Sequence, residues 1–106
     1  MSDNGQLVRD GEALYLQGKI NFQSANDLYR SLKQELTRDI RLIDCSKVEQ
    51  CDSSAIGLLL AGCRLAESRR IRLEIRGMNE QMHSLARLYE VEPVLNQVNI
   101  DDPIPA

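Results

Sequence analysis

Apolar residues recur at Ala25, Leu28, Tyr29, Leu32 and Leu36, with Asp27, Arg30, Lys33, Gln34 and Glu35 between them. That three-and-four spacing predicts an amphipathic helix, and Asn21 is a residue type that caps one. Upstream, Leu7-Val8 and Ala13-Leu14-Tyr15-Leu16 flank Asp10-Gly11-Glu12, a pattern that predicts an opening hairpin ended by Gly18. Ile40-Arg41-Leu42-Ile43-Asp44 reads as a short strand followed by a polar linker, Ser46 to Gln50. Ile71 to Arg76 alternates apolar and charged residues, the mark of a strand near a sheet edge with one wet face. Gly77 then breaks the chain, Asn79 caps, and Met82, Leu85, Ala86 and Tyr89 carry a third helix that Pro93 ends. Val94, Leu95 and Val98 predict a terminal helical turn, and Asp101 to Ala106 an acidic, Pro-containing tail.

Between these elements runs the most informative stretch, Cys51-Asp52-Ser53-Ser54-Ala55-Ile56-Gly57-Leu58-Leu59-Leu60-Ala61. It predicts a helix from about Ser53 to Glu67. Ile56, Leu59, Leu60 and Cys63 form one apolar stripe and Leu58, Ala61 and Leu65 a second, so the helix is sandwiched between the sheet and a neighbouring helix or partner. The order strand, strand, helix, strand, helix, strand, helix gives an α/β fold: a mixed sheet of about four strands packed with three to four helices. The first strand adds antiparallel at one side. One domain over residues 1–100 and a short tail over 101–106 account for the chain.

With 106 residues, 42% hydrophobic and 27% charged, the sequence has the balance of a single globular domain. No apolar run approaches the ~20 residues that span a bilayer, and Met1 to Gly5 is polar, which points to the cytoplasm. A formal net charge of −3 argues against nucleic acid as a partner. Against that background Arg64, Arg69, Arg70, Arg72 and Arg76 crowd one region, where they either face acidic lipid or a partner's carboxylates, or solvate a helix end and a strand. Cys45, Cys51 and Cys63 are odd in number and lack a C-x-x-C spacing, so they read as reduced packing thiols, with no metal site expected.

Conventional catalysis has little to stand on. His83 is the chain's one histidine and falls off the Leu85/Tyr89 stripe, and nothing supplies an oxyanion hole for a triad built on Ser53. There is no phosphate-cradling glycine loop, so the reading is of a non-enzymatic chain with no cofactor. Asp52, Ser53 and Ser54 serve at the least as a helix cap, which contributes ~1 kcal/mol.

Motifs along nearly the whole chain resemble those of STAS domains. Leu16-Gln17-Gly18-Lys19-Ile20-Asn21 is similar to the turn before the first STAS helix, Leu42-Ile43-Asp44-Cys45-Ser46-Lys47-Val48 to the strand and loop after it, and Asp52-Ser53-Ser54 to the phosphoacceptor loop. Gly77-Met78-Asn79 and Leu85-Ala86-Arg87-Leu88-Tyr89 look like the corresponding parts of the cytoplasmic STAS subunit of Mla-type phospholipid ABC transporters. The resemblance implies a STAS-like fold and a partner, the ATPase subunit of a permease complex, met through Asp52, Ser53, Ser54, Ala55, Leu58 and Leu65. The membrane is then reached only indirectly, at the inner face. The other branch of the family, the anti-sigma factor antagonists, implies phosphorylation at Ser53. Ala55 stands where both branches carry Gly, and a methyl there crowds a closely approaching backbone, which weighs against kinase docking.

Overall fold

A computed structural model describes residues 5–91 and Leu95. Four strands, β1 (Gln6–Asp10), β2 (Ala13–Ile20), β3 (Leu42–Cys51) and β4 (Glu74–Arg76), form one sheet in the order β1-β2-β3-β4. β1 runs antiparallel to β2, whereas β2, β3 and β4 are mutually parallel. Among the described residues three helices, α1 (Phe22–Glu35), α2 (Ser53–Ser68) and α3 (Glu80–Leu88), connect or follow the parallel strands. This is the arrangement that the periodicities predict, including the antiparallel first strand.

The two central strands are longer than their patterns suggest, and β2 continues through Gly18 to Ile20 instead of stopping there. Ser46 to Gln50, read as a linker, belongs to β3. The cause lies in two register shifts along the β2–β3 ladder, where Tyr15 pairs with Asp44 but Gln17 with Lys47, and Gly18 with Val48 but Lys19 with Gln50. Each bulge inserts one residue into β3, so its buried positions alternate from Ile43 to Cys45 and then fall every third residue, at Val48 and Cys51. A period of three hides a strand from a test for a period of two. Conversely, only Glu74–Arg76 of the alternating run from Ile71 is paired, because β4 meets β3 at Leu42, Ile43 and Asp44 alone.

The core is the layer between sheet and helices. Leu14, Leu16, Ile43 and Ile75 from the sheet meet Leu28 and Leu32 of α1, Ile56, Leu59 and Cys63 of α2, and Met82 and Ala86 of α3. Gly62 sets the closest approach: a Cβ there would lie 3.1 Å from Leu32 Cδ2 and 3.7 Å from Ile43 Cδ1. Gly77, with φ of 76°, turns the chain out of β4, and a Cβ at that position would lie 2.8 Å from the backbone N of Ser46. Leu95 is buried, while Pro93, Val94, Val98 and the acidic tail lie outside the described residues.

Arg69 ties the far ends of α1 and α2 together. Its Nη1 donates to the carbonyls of Lys33 (2.9 Å) and Leu36 (2.8 Å), oxygens left without helical partners where α1 stops. Its work is thus at the end of α1, not the solvation of its own helix. Charged hydrogen bonds of this kind contribute about 1.5–3 kcal/mol each, and water recovers part of that on truncation. Arg69→Ala is expected to lower unfolding free energy by about 1–3 kcal/mol, read from urea denaturation, with the folded circular dichroism spectrum unchanged.

Candidate functional site

The last pair of the β2–β3 ladder is Ile20 opposite Cys51, so the residues that follow them, Asn21 and Asp52, emerge side by side. Each caps a helix. Asn21 accepts from Gln23 N (2.9 Å) and Ser24 N (3.0 Å), and Ser24 Oγ accepts in return from Asn21 N (3.1 Å), a complete capping box. Asp52 donates its own N–H to the Ile20 carbonyl at 3.1 Å and accepts from Ser54 N at 2.8 Å. The Ser54 hydroxyl also donates to Asp52 Oδ1. From the third side, Gln81 in the first turn of α3 accepts through Oε1 from the Cys51 thiol at 3.7 Å. The starts of α1, α2 and α3 therefore share one rim of the sheet.

That geometry separates the two serines. Ser54 is held by Asp52, whereas the Ser53 hydroxyl has no hydrogen bond among the described residues and is half-buried at the first position of α2. Ser53 is the hydroxyl available to an approaching group.

The other predicted contact residues divide differently. Ala55 is fully buried. Its methyl faces the interior and cannot crowd a backbone approaching from outside, which corrects the objection to close docking. Leu58 is 6% exposed and lines an apolar gap with Leu7, Leu16, Leu28, Leu32, Ile43 and Leu59, so it belongs to the core and is not a surface residue. Leu65 is half-buried and packs on the margin of the core. The side of α2 that reaches solvent runs instead through Ser53, Ser54, Gly57, Leu60, Ala61 and Arg64. A Cβ at Gly57 would meet nothing within 4 Å.

Sequence reasoning passed over Phe22, the first residue of α1, whose side chain is 74% exposed beside this rim. Phe22 stands three residues before Ala25 and seven before Tyr29, so by spacing it reads as one more member of the buried stripe. An aromatic ring in water, next to a free hydroxyl and small residues, suits contact with a protein.

The thiols of the domain are held towards their protonated form. Burial pushes Cys45 up to about 12, with Asp44 adding to the effect, and Cys63 up to about 11, while Cys51 is raised by burial and then by Asp52. No group of three or more His, Cys, Asp or Glu side chains that could hold a metal occurs among the described residues. None of their helices is long and apolar enough to cross a membrane.

A mixed sheet of this order with three helix starts on one rim is the STAS fold. The unphosphorylated anti-sigma factor antagonist SpoIIAA superposes on it with a TM-score of 0.65 at 16% identity, over 84% of this chain and 83% of that one. Within that fold the chain belongs to the family described as Mlab, STAS domain, which matches residues 6–96. Two relatives carry the name intermembrane phospholipid transport system binding protein MlaB, from Escherichia coli (strain K12) and Shigella flexneri. Each is 28% identical over 91 residues, covering 86% of this chain and 93% of the relative.

Two outcomes follow from this geometry. Asp52→Ala is expected to cost about 1 kcal/mol through loss of the cap, whereas Ser53→Ala stays within about 0.5 kcal/mol; urea denaturation of both variants checks the contrast. The raised thiols stabilise the fold fully below their ordinary value of 9.0 and lose that contribution as pH rises towards 11–12. Unfolding midpoints measured from pH 8 to 11 are expected to fall less steeply for Cys45→Ala than for the parent chain.

Proposed function

We propose that this chain is the cytoplasmic STAS subunit of an Mla-type phospholipid ABC transporter, and that it binds and supports the ATPase subunit through the rim at the start of α2. The free Ser53 hydroxyl carries the reading: it stands on a surface also formed by exposed Phe22 and the small outward face of α2, in a domain whose family match spans residues 6–96. The names of the two relatives supply the transport process. In this reading the chain lies at the inner membrane through its partner, and the contact surface comprises Asp52, Ser53, Ser54 and the flank of Leu65, joined by Phe22 and Leu60.

The chain contributes no catalytic group in this role. By binding only the folded, competent ATPase it shifts that protein's population towards the competent state by mass action. The short polar rim fixes register, and the apolar Phe22 and Leu60 supply affinity.

A second reading, an anti-sigma factor antagonist switched by phosphorylation of Ser53, is favoured by one observation: Ala55 is interior and leaves the Ser53 hydroxyl approachable. The two readings part on what the tagged chain retains at native level. The transporter reading expects an ABC-type ATPase with a permease; recovery of a serine kinase without either would replace it with the switch.

Ser53→Lys places a cation at the positive end of α2 and a long side chain on the rim, so it is expected to weaken ATPase binding tenfold or more, about 1.4 kcal/mol, with the domain still folded. Steady-state ATP turnover of the partner should rise when the parent chain is added and not when the variant is. Full stimulation by a folded Ser53→Lys chain would move the docking surface elsewhere.

A further inference from the structure

The far end of α2 carries cations that the rim does not use. Arg64, Arg70 and Arg72 are exposed, and none has an ion-pair or hydrogen-bond partner for its guanidinium among the described residues. Their neighbours are committed, Arg69 to the carbonyls of α1 and Arg76 to Glu74 at 2.5 Å. Every cation from residue 64 to residue 87 is arginine, while the lysines, Lys19, Lys33 and Lys47, all lie earlier in the chain. Arginine's planar fork pairs with two oxygens of a phosphate or carboxylate at once, which a lysine cannot do. In a chain of net charge −3, with Glu67 and Glu90 also exposed nearby, the cluster is a local reversal and not part of a general basic surface.

Apolar side chains stand in water towards the same end. Leu88 is 70% and Tyr89 53% exposed where α3 finishes. α3 starts beside Cys51 and packs against α2, so both helices lead away from the rim that holds Ser53. The 16 residues of α2 separate its two ends by about 24 Å. The arginines sit on a helix, just past its end and in the loop beyond. Exposed arginine together with exposed tyrosine and leucine on one half of a domain is a composition suited to a bilayer interface.

We propose that this end of the domain contacts anionic phospholipid headgroups directly, with Arg64, Arg70 and Arg72 on phosphate oxygens and Tyr89 and Leu88 at the headgroup boundary. The contact is reversible and sensitive to salt, because it rests on a few charges and no deep insertion. It does not depend on the ATPase reading, since Arg70, Arg72, Leu88 and Tyr89 lie beyond the face of α2 that the rim uses, and Arg64 alone adjoins it.

Flotation of the full chain with sealed vesicles tests this, comparing equal parts phosphatidylglycerol and phosphatidylcholine with phosphatidylcholine alone at low ionic strength. The chain should float only with the anionic vesicles and be released by added salt. Each arginine near such a surface accounts for roughly a fivefold change, so Arg70→Gln with Arg72→Gln should reduce partitioning about 25-fold while circular dichroism stays intact. Tyr89→Ser should reduce it further, and Ser53→Lys should leave it unchanged while losing the ATPase. No flotation with anionic vesicles at low salt would overturn the proposal, as would flotation undiminished in the folded double variant. If the parent chain ignored vesicles and the double variant instead lost ATPase binding, the arginines would belong to an acidic protein contact and the lipid assignment would be wrong.

Discussion

The hydrogen bond from Asp52 N–H to the Ile20 carbonyl closes the β2–β3 ladder, and the site depends on where that ladder ends. Parallel strands that finish together release their chains together. Because Ile20 and Cys51 are partners, the caps of α1 and α2 are fixed relative to one another by backbone geometry before any side chain is considered. Two bulges make this possible, since β3 needs ten residues to cover the span that β2 covers in eight. Without them β3 would run past the end of β2 and carry Asp52 away from Asn21.

The helices were readable because each is amphipathic or strongly apolar and each has a cap of the expected type. Asn21, Asp52 and Asn79 all occupy the positions that their side-chain chemistry suggests. Strand lengths were less readable, because bulges replace strict alternation and because pairing depends on a neighbour that periodicity does not reveal. Ser46 to Gln50 looks like a linker in isolation and is a strand only beside β2. Ile71 to Leu73 looks like a strand and has no ladder partner among the described residues.

At the site, the Asp-Ser-Ser motif marked the right location, but residue type alone could not rank its members. Which serine is occupied follows from the direction of Asp52's carboxylate, a property of folded geometry. Ala55 and Leu58 illustrate the same limit in the opposite sense. On an apolar helix the inward and outward sides differ little in composition, so Leu58 was placed outward when α1 and the sheet enclose it. Phe22 fits the apolar spacing of α1, and only the folded structure shows that at the helix start it lies beyond the edge of the core.

Gly57 gives this arrangement an energetic asymmetry. A glycine in the interior of a helix is less favourable than alanine by roughly 0.5–1 kcal/mol, and at Gly57 no neighbour would obstruct the methyl that would recover it. Gly62, on the inward side of the same helix, has a packing reason to lack a side chain; Gly57 has none among the described residues. The chain therefore forgoes stability at an outward point of α2 one turn from Ser53, where a bare backbone lets another surface come several tenths of a nanometre nearer than any side chain would allow.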